Sequence, residues 1–227
     1  DPHIHDLAVD VGKPCLLINC RDRLMRLPVV APDHRAIGER AAGYLFEMGH
    51  REVVNVLCLR RYTMELRLAG IRDAWRSNNL KFSDKLHLLV AANFSARETE
   101  QLVSEWIGER KGQDLPTAFL VGGDFMAAGV ISALQKRGLR VPQDISVMSI
   151  DGFNLASIQD VPLTAVHVPR DELGTEAVYM LQHRLVRPDA PVSTLLLNGT
   201  LAVRESVRRI RQGKRRTAVE QEGLYDR

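Results

Sequence analysis

Two aspartates, Asp124 and Asp151, each follow a short apolar run of the kind that forms a buried strand. Two carboxylates held close together could act as the acid and the base of a proton-transfer reaction. Asp124 also precedes a stretch with helical periodicity, and we interpret it first as the N-cap of that helix. The two residues therefore do not by themselves indicate a catalytic pair.

Other groups with possible chemistry lack the neighbours that such chemistry requires. His3, His5 and Asp6 could bind a metal, but no second set of ligands stands at a supporting spacing, which favours an exposed chain end. Cys15 and Cys20 have no neighbouring histidine in the sequence to activate a thiol. The sequence also contains neither a phosphate-binding glycine loop nor a Gly-x-Ser-x-Gly elbow. We expect no enzyme here, and no bound metal or cofactor.

Apolar runs alternate with segments of helical periodicity along most of the chain. Continuous apolar strands between helices are typical of a parallel sheet that is covered on both faces, so the predicted fold class is α/β and doubly wound. The predicted strands lie at 14–18, 27–30, 53–57, 86–91, 118–121, 145–150, 194–197 and 201–204, and the predicted helices at 35–48, 62–78, 95–108, 125–137 and 171–187.

The loops at the carboxyl ends of the strands are where a sheet of this type binds its ligand. Their residues offer an amide, a hydroxyl, an aromatic ring and a carboxylate, a combination that suits a small, neutral, polar molecule. These loops are residues 19–21, 59–63, 93–94, 122–124 and 151–153.

The charge of the chain is concentrated at its end. Seven basic and three acidic residues follow Ser206, whereas the rest of the chain carries 24 basic and 25 acidic residues. The nearly neutral body gives no electrostatic footprint for nucleic acid. The basic segment Arg208–Arg216 could contact DNA phosphates nonspecifically, but we favour a solvated, disordered extension.

The remaining composition is that of a soluble globular protein, with 45% hydrophobic and 26% charged residues. We interpret Cys15, Cys20 and Cys58 as buried free thiols of a reducing cytoplasm. No apolar run approaches the ~18 residues that a membrane span requires, so we predict no membrane partner.

Five segments share an order and spacing that identify a family. They are AAGYLFEMGHREVVNV (41–56), LRLAGIRDAW (66–75), VGGDFMAAGVISALQKRGLRVPQDISVMSIDGF (121–153), PLTAVHVPRDELGTEAV (162–178) and LAVRES (201–206). Together they resemble the bacterial transcription regulators of the lactose-repressor (LacI/GalR) family. The resemblance covers residues 14–207.

The resemblance implies two doubly wound parallel-sheet lobes, as in type I periplasmic sugar-binding proteins, with the ligand between the lobes. Residues 1–31 would be a remnant of the amino-terminal lobe, and 32–167 the carboxyl-terminal lobe. Residues 168–198 would return to the amino-terminal lobe, 199–207 would add a final strand to the carboxyl-terminal lobe, and 208–227 would form the basic tail. The amino-terminal lobe is then incomplete.

The same resemblance implies a ligand-responsive transcription regulator, usually a repressor. It would act as a cytoplasmic homodimer that binds a small effector (a sugar, a sugar acid or a related metabolite). Its operator DNA would be bound by a helix-turn-helix that this chain does not contain.

The family pattern also implies which residues contact the effector. Arg67 occupies the position of the family's cleft arginine, and Asp151 that of the aspartate that accepts hydrogen bonds from sugar hydroxyls. Phe94 falls at the position of an aromatic wall, with a core phenylalanine as the competing interpretation. Asn19 and Thr63 match polar lining positions and could equally serve as turn residues.

Two further positions depart from the family pattern. Gly123 stands where many relatives have an asparagine that contacts the ligand, which argues against a simple hexose. Arg170 lies where a cleft aromatic is common, and an inward-facing arginine would favour an acidic effector.

Two other functions remain open at the level of the sequence. A periplasmic solute-binding protein of a sugar transporter would have the same fold and much of the same cleft. An enzyme on a doubly wound sheet is the third possibility, although we find no constellation of residues for it.

Overall fold

The computed structural model describes residues 2–110, 115–152 and 161–210 of the chain. In this part of the chain the elements alternate between helix and strand over most of the length. In chain order they are α1 (Pro2–Asp10), β1 (Leu17–Ile18), β2 (Val29–Pro32), α2 (His34–Glu47), β3 (Val53–Leu57), α3 (Tyr62–Ser77), α4 (Asp84–His87), β4 (Leu88–Val90), α5 (Ala96–Gly108), β5 (Ala118–Val121), α6 (Asp124–Gln135), β6 (Ser146–Asp151), β7 (Thr164–His167), α7 (Arg170–Val186), β8 (Thr194–Leu197) and β9 (Thr200–Ala202).

Within the described residues, the larger of two sheets has six strands in the order β4-β3-β5-β6-β7-β9. Neighbouring strands run parallel, except that β9 is antiparallel to β7. Strands β3 and β5 are buried along their whole length, because α2 and α3 cover one face of the sheet while α5 and α6 cover the other. We call these strands, with helices α2 to α6, the large-sheet lobe.

The smaller sheet is formed by β1, β2 and β8, which are all parallel, with β2 in the middle. Helix α7 packs against β2, and the buried apolar cluster at this contact consists of Val30, Leu173 and Ala177. We call β1, β2, β8 and α7 the small-sheet lobe. The predicted α/β class with two parallel-sheet lobes is confirmed.

Helices α2 and α3 lie unusually close together because each has a glycine where they meet. A Cβ atom at Gly38 would lie 2.2 Å from the carbonyl oxygen of Arg67. A Cβ atom at Gly70 would lie 1.8 Å from the carbonyl oxygen of Arg35. Only glycine allows this approach, which brings the beginning of α2 next to Arg67.

Most predicted elements occur where their sequence pattern placed them. The predicted strands 118–121 and 194–197 coincide with β5 and β8. The five predicted helices, which are α2, α3, α5, α6 and α7, begin and end within two residues of the prediction. Ser95 caps α5 as expected, because its hydroxyl accepts a hydrogen bond of 3.3 Å from the Glu98 backbone N–H.

The differences concern short elements. Residues 2–10 form α1, although we predicted an exposed chain end, and the strand predicted at 14–18 is reduced to β1. The strand predicted at 27–30 forms two residues later as β2, and α4 replaces the first part of the strand predicted at 86–91. Strand β7 was not predicted at all, because four residues between two prolines carry little periodicity of their own. Such segments acquire their structure from neighbouring elements rather than from local propensity.

The three cysteines are free, as predicted, but only Cys58 is buried; Cys15 is partly buried and Cys20 is exposed. Cys20, which has no neighbouring histidine in the sequence, has one in space, because α1 brings the His5 Nε2 atom to 3.7 Å from its Sγ atom. Asp22 lies 3.8 Å from the other nitrogen of His5, longer than a hydrogen bond, and both of its carboxylate oxygens accept hydrogen bonds from Arg26.

The folded body continues past the predicted start of the basic tail at residue 208. The Nε2 atom of His50 donates a hydrogen bond of 3.1 Å to the Arg208 carbonyl, and the Ile210 backbone N–H donates one of 2.9 Å to the Met48 carbonyl. Residues 211–227, which include the rest of the basic segment Arg208–Arg216, lie outside the described residues. In the described part of the chain, no helix has both the length and the apolar character to cross a membrane.

Candidate ligand-binding site

A cavity of about 550 Å³ lies between the two lobes, at the carboxyl ends of the strands of both sheets. It is bordered by the beginnings of four helices, α2, α3, α6 and α7. Its lining consists of Ile18, Asn19, Pro32, His34, Arg61, Thr63, Met64, Arg67, Phe94, Gly123, Asp124, Phe125, Met126, Asp151, Val168, Arg170 and Leu173.

All seven residues that the sequence pattern singled out line this cavity, although they are spread over more than 150 positions of the chain. Their contact with a ligand stays a prediction. Phe153, at the end of the predicted loop 151–153, lies outside the described residues. The seven are Asn19, Thr63, Arg67, Phe94, Gly123, Asp151 and Arg170.

Arg67 and Asp151 form a salt bridge at the base of the cavity. The Arg67 Nη2 atom lies 2.7 Å from Asp151 Oδ1, and its Nη1 atom donates to the Gly122 carbonyl at 2.9 Å. The Arg67 side chain is 5% exposed and that of Asp151 is 21% exposed, so the carboxylate is the more accessible partner. Arg67 therefore orients Asp151, and part of its own donor capacity is already used within the protein.

His34 extends this network toward the small-sheet lobe. Its Nδ1 atom accepts a hydrogen bond of 3.1 Å from Arg67 Nε, which can only donate, so the imidazole proton is on Nε2. That Nε2 atom donates to the Asn19 amide oxygen at 2.8 Å. The chain Asp151–Arg67–His34–Asn19 thus connects the end of β6 in one lobe to the end of β1 in the other.

The position of His34 keeps its imidazole neutral. The residue is 4% exposed, and its burial, aided by the positive charge of Arg67, lowers the pKa of His34 to about 4. A neutral ring is required for the network, because a protonated Nδ1 could not accept the hydrogen bond from Arg67.

Asp151 adopts a backbone conformation that few residues other than glycine accept. Its φ angle is 124°, and its carbonyl accepts a hydrogen bond of 3.1 Å from the Val168 backbone N–H. Conformations of this type cost on the order of 1–3 kcal/mol and occur preferentially at functional sites. The surrounding contacts therefore hold the carboxylate in a direction that an ordinary strand end would not give.

Phe94 and Gly123 shape one wall of the cavity. Phe94 is 36% exposed, which excludes the alternative of a core phenylalanine. A Cβ atom at Gly123 would lie 3.3 Å from Asp151 Oδ2 and 3.7 Å from the Phe94 ring. The glycine therefore leaves open the space in front of the carboxylate, which any larger side chain would occupy.

Arg170 and Arg61 add positive charge to the rim. Arg170 is the first residue of α7 and is half-buried, so the structure places it at the cavity rather than in open solvent. Arg61 directly precedes α3, and its guanidinium carbon lies 5.7 Å from the centre of the Phe94 ring.

Asp124 does not play the role that we predicted. The N-cap of α6 is Gly123, and Asp124 is the first residue of the helix. Its buried carboxylate accepts a hydrogen bond from the Ser149 hydroxyl, whereas Asp151 pairs with Arg67. The separate partners of the two carboxylates do not support an acid and base pair.

The sequence analysis missed His34, and it included Arg61 only within the predicted ligand loop 59–63 without singling it out. Both directly flank the beginning of a helix that follows a parallel strand, and this place in the pattern is the signal that could have identified them. His34 was overlooked because we considered only the loops at the ends of the other strands.

A second hollow of about 880 Å³ adjoins the cavity and shares Asn19, His34 and Thr63 with it. It follows one face of the small sheet, where Val29, Ala31, Thr194 and Leu196 are among the lining residues. Since it lacks Asp151, Arg67 and Arg170, we place the candidate site in the smaller cavity.

Comparison with known proteins identifies the family. A family model described as a periplasmic binding protein-like domain matches residues 42–207. The chain belongs to this family. The predicted resemblance to LacI/GalR regulators is also confirmed, because the relatives found are regulators of that type.

Two curated relatives illustrate the match. The ribose operon repressor of Escherichia coli K12 is 34% identical over 172 residues, which cover 74% of this chain and 50% of the relative. The transcriptional repressor PurR of Klebsiella pneumoniae is 34% identical over 171 residues, which cover 75% of this chain and 49% of the relative. The chain spans about half the length of the curated relatives it matches.

Solved structures show the same fold. A putative LacI-type regulator from Bacillus cereus superposes with a TM-score of 0.80 at 26% identity, over 92% of this chain and 73% of that chain. A LacI-family regulator from Enterococcus faecium with bound ribose has a TM-score of 0.79 at 21% identity, over 92% of this chain and 75% of that chain. A sugar-binding regulator of the family from Escherichia coli, complexed with phosphate, has a TM-score of 0.77 at 25% identity, over 92% of this chain and 73% of that chain.

Proposed function

We propose that this chain is the effector-binding part of a ligand-responsive transcription regulator, most simply a repressor, and that it binds its effector without transforming it. The observation that carries the proposal is the network Asp151–Arg67–His34–Asn19, which joins the two lobes at the cavity between them. The family membership and the repressors among the relatives support the same conclusion.

In the proposed mechanism, the effector is a small polar metabolite such as a sugar or a sugar derivative. Asp151 accepts hydrogen bonds from its hydroxyl groups, and the remaining N–H donors of Arg67 contact it from the side. Phe94 packs against its flat face, while Asn19 and Thr63 complete the polar lining. Gly123 leaves the room that the ligand needs beside the carboxylate.

Binding regulates DNA through the relative position of the lobes. An effector that contacts both walls of the cavity favours the closed arrangement, and it shifts the equilibrium only by its difference in affinity for the two states, typically about 1–3 kcal/mol. Residues 1–31 and 168–198 form the amino-terminal lobe in this proposal, and residues 32–167 and 199–207 form the carboxyl-terminal lobe. In a cytoplasmic homodimer, the motion would reach an operator-binding head outside this sequence.

The test uses the natural full-length protein and measures effector-dependent operator binding. Asp151→Asn removes the charge but preserves the shape, and we expect it to weaken effector binding by roughly 10- to 100-fold, because a hydrogen bond to a charged group contributes about 1.5–3 kcal/mol. Arg67→Ala should abolish the response, since it also releases Asp151. Operator binding without effector should persist in both variants.

Matched controls lie outside the cavity. Asp144→Asn and Arg72→Ala change partly exposed partners of other ion pairs and should leave the response intact. A normal effector response in Asp151→Asn and Arg67→Ala would contradict the assignment of the site. Binding of a sugar without any selective binding of DNA would favour a solute-binding protein, and turnover of a substrate that depends on Asp124 and Asp151 would favour an enzyme.

A further inference from the structure

The three cysteines of the chain differ in the group that each thiol meets. The Cys58 thiol is buried and donates a hydrogen bond of 3.5 Å to the Ala92 carbonyl. The Cys15 thiol is partly buried and donates one of 3.5 Å to the Ala8 carbonyl. A carbonyl oxygen accepts a hydrogen bond but is too weak a base to remove the thiol proton at neutral pH. We therefore expect these two thiols to react slowly.

Cys20 is the exposed cysteine of the three, and its sulfur meets an imidazole instead. It lies two residues after β1, and α1 places the His5 Nε2 atom 3.7 Å from its Sγ atom, within hydrogen-bonding range for sulfur. His5 is 9% exposed, so its ring is held by the surrounding protein rather than turning freely in solvent. An imidazole at this distance can take the thiol proton, and the thiolate is the nucleophilic form of cysteine.

Asp22 favours the imidazole tautomer that this proton transfer requires. Its Oδ1 atom lies 3.8 Å from His5 Nδ1, the ring nitrogen that does not contact Cys20. Arg26, which also contacts Asp6, donates hydrogen bonds to both Asp22 oxygens and holds the pKa of Asp22 well below its usual range. The carboxylate is therefore ionised. A negative charge beside Nδ1 favours the proton on that nitrogen and leaves the Nε2 lone pair toward the sulfur.

The surroundings of Cys20 leave room for an incoming molecule. The residue lines the hollow of about 880 Å³ that follows one face of the small sheet. Hollows of this size accommodate small molecules. A small disulfide suits the pair of thiol and imidazole, because the thiolate that leaves it can take back the proton from the imidazole. Exchange with such a molecule therefore requires no additional oxidant.

We propose that Cys20 is a modification site that exchanges its thiol with low-molecular-weight disulfides, with His5 as the base. His5 Nε2 removes the proton from Cys20 Sγ, and the thiolate attacks one sulfur of the disulfide. A bond forms between Cys20 Sγ and that sulfur, the original disulfide bond breaks, and the leaving thiolate takes up the proton from His5. Cys20 is thereby oxidised to a mixed disulfide, and the other half of the small disulfide is reduced to a thiol. An excess of small thiol reverses the exchange.

The experiment measures how fast each cysteine of the full-length protein reacts with glutathione disulfide near neutral pH. The reaction is stopped with acid at successive times, and mass spectrometry of the peptides gives the fraction of mixed disulfide at each position. We expect Cys20 to react about tenfold or more faster than Cys15 and Cys58, because a positioned base accelerates proton transfer. This comparison uses the natural protein and does not depend on the folding of a variant.

His5→Ala should slow the reaction of Cys20 by about tenfold or more and leave that of Cys15 unchanged. Imidazole added to the solution should restore part of the rate, because it can enter the space that the ring leaves. A purely structural role of His5 would not give this rescue. His5→Gln, which retains a polar side chain, should be as slow as His5→Ala. The matched control is His183→Ala on the exposed face of α7, which should change no rate.

Two results would overturn the inference. One is that Cys20 forms the mixed disulfide no faster than Cys15, which includes no reaction at all and a disulfide between Cys15 and Cys20 in its place. The other is that His5→Ala and His5→Gln both leave the rate at Cys20 unchanged. Neither result concerns the effector, so the proposed function, which is tested at Asp151 and Arg67, would stand.

Discussion

The two lobes are built from the same kind of parallel strand but differ greatly in how well they are packed. The six-stranded sheet is covered on both faces and contributes to two extensive buried clusters, whereas the buried cluster of the three-stranded sheet has three members among the described residues. Leu120 in β5 is fully buried, and Leu196 in β8 is 51% exposed. Segments with few buried contacts open at a lower free-energy cost.

The polar residues of the candidate site are also divided between the two lobes. Asp151 and Arg67, which form the buried salt bridge, belong to the well-packed lobe, and Asn19 and Arg170 belong to the thinly packed one. The candidate site thus combines groups held by a closely packed sheet with groups on a sheet that has few buried contacts within this chain. The comparison therefore predicts that the lobes respond differently to the same substitution.

The largest difference is expected from leucine truncations in the two sheets. Leu120→Ala should lower the free energy of unfolding by roughly 2–5 kcal/mol, because it leaves a cavity in a closed core. Leu196→Ala removes the same atoms from a half-exposed position and should cost less than about 1 kcal/mol. Urea denaturation of both variants measures the difference, and equal losses would contradict the contrast between the lobes.

A smaller but still large effect is expected where α2 meets α3. Gly70→Ala should destabilise the protein by roughly 1–3 kcal/mol or more, because its Cβ atom would overlap the Arg35 carbonyl and force the helices apart. The separation would also lengthen the hydrogen bond between His34 and Arg67, so effector binding should weaken as well.

Gly43 offers the control for that substitution. It lies in the middle of α2, and a Cβ atom at this position would have no other described atom of the protein within 4 Å. Gly43→Ala should be neutral or stabilising by up to about 1 kcal/mol, since alanine is the better helix former. If thermal unfolding shows the same loss of stability for Gly43→Ala as for Gly70→Ala, the close contact between α2 and α3 does not explain why position 70 is glycine.

The smallest of these effects is the change of folding stability with pH that results from His34, the residue that links the lobes. In the folded protein His34 stays neutral down to about pH 4, whereas an unfolded chain takes up that proton near pH 6.5. The unfolded state therefore binds more protons in this window, and stability falls as the pH decreases from about 6.5 to 4 but does not change on this account above it. The expected loss at pH 5, relative to pH 7.5, is on the order of 1–2 kcal/mol for His34.

His50 contributes in the same direction, because its burial inside the large-sheet lobe also lowers its pKa to about 4. Urea midpoints at pH 7.5 and pH 5 should therefore differ less in His34→Gln and in His50→Gln than in the natural protein. Effector affinity at pH 5 should depend on His34 only, because His50 is remote from the cavity lining. An unchanged pH dependence in His34→Gln would show that this residue is protonated in the folded state.

Much of the fold and of the site could be predicted because the relevant signals are local. The long helices and the buried strands such as β5 follow from periodicity and caps, and the motifs around Arg67 and Asp151 indicate the family. Short elements such as α4 and β7 could not be predicted, since one turn or four residues are stabilised by their neighbours and not by their own propensity. His5 and Cys20, 15 residues apart, meet only because α1 packs against the loop that follows β1.

The sequence by itself determined the α/β class and the family, because periodicity and motif spacing are properties of neighbouring residues, and the family pattern then indicated seven residues that all line the cavity. Only the tertiary structure decided what those residues do to one another. It used part of Arg67 to hold Asp151 and inserted the neutral His34 between the lobes. The reason is physical: pairing and desolvation depend on distances between residues far apart in the chain, and only the packed helices and sheets determine those distances.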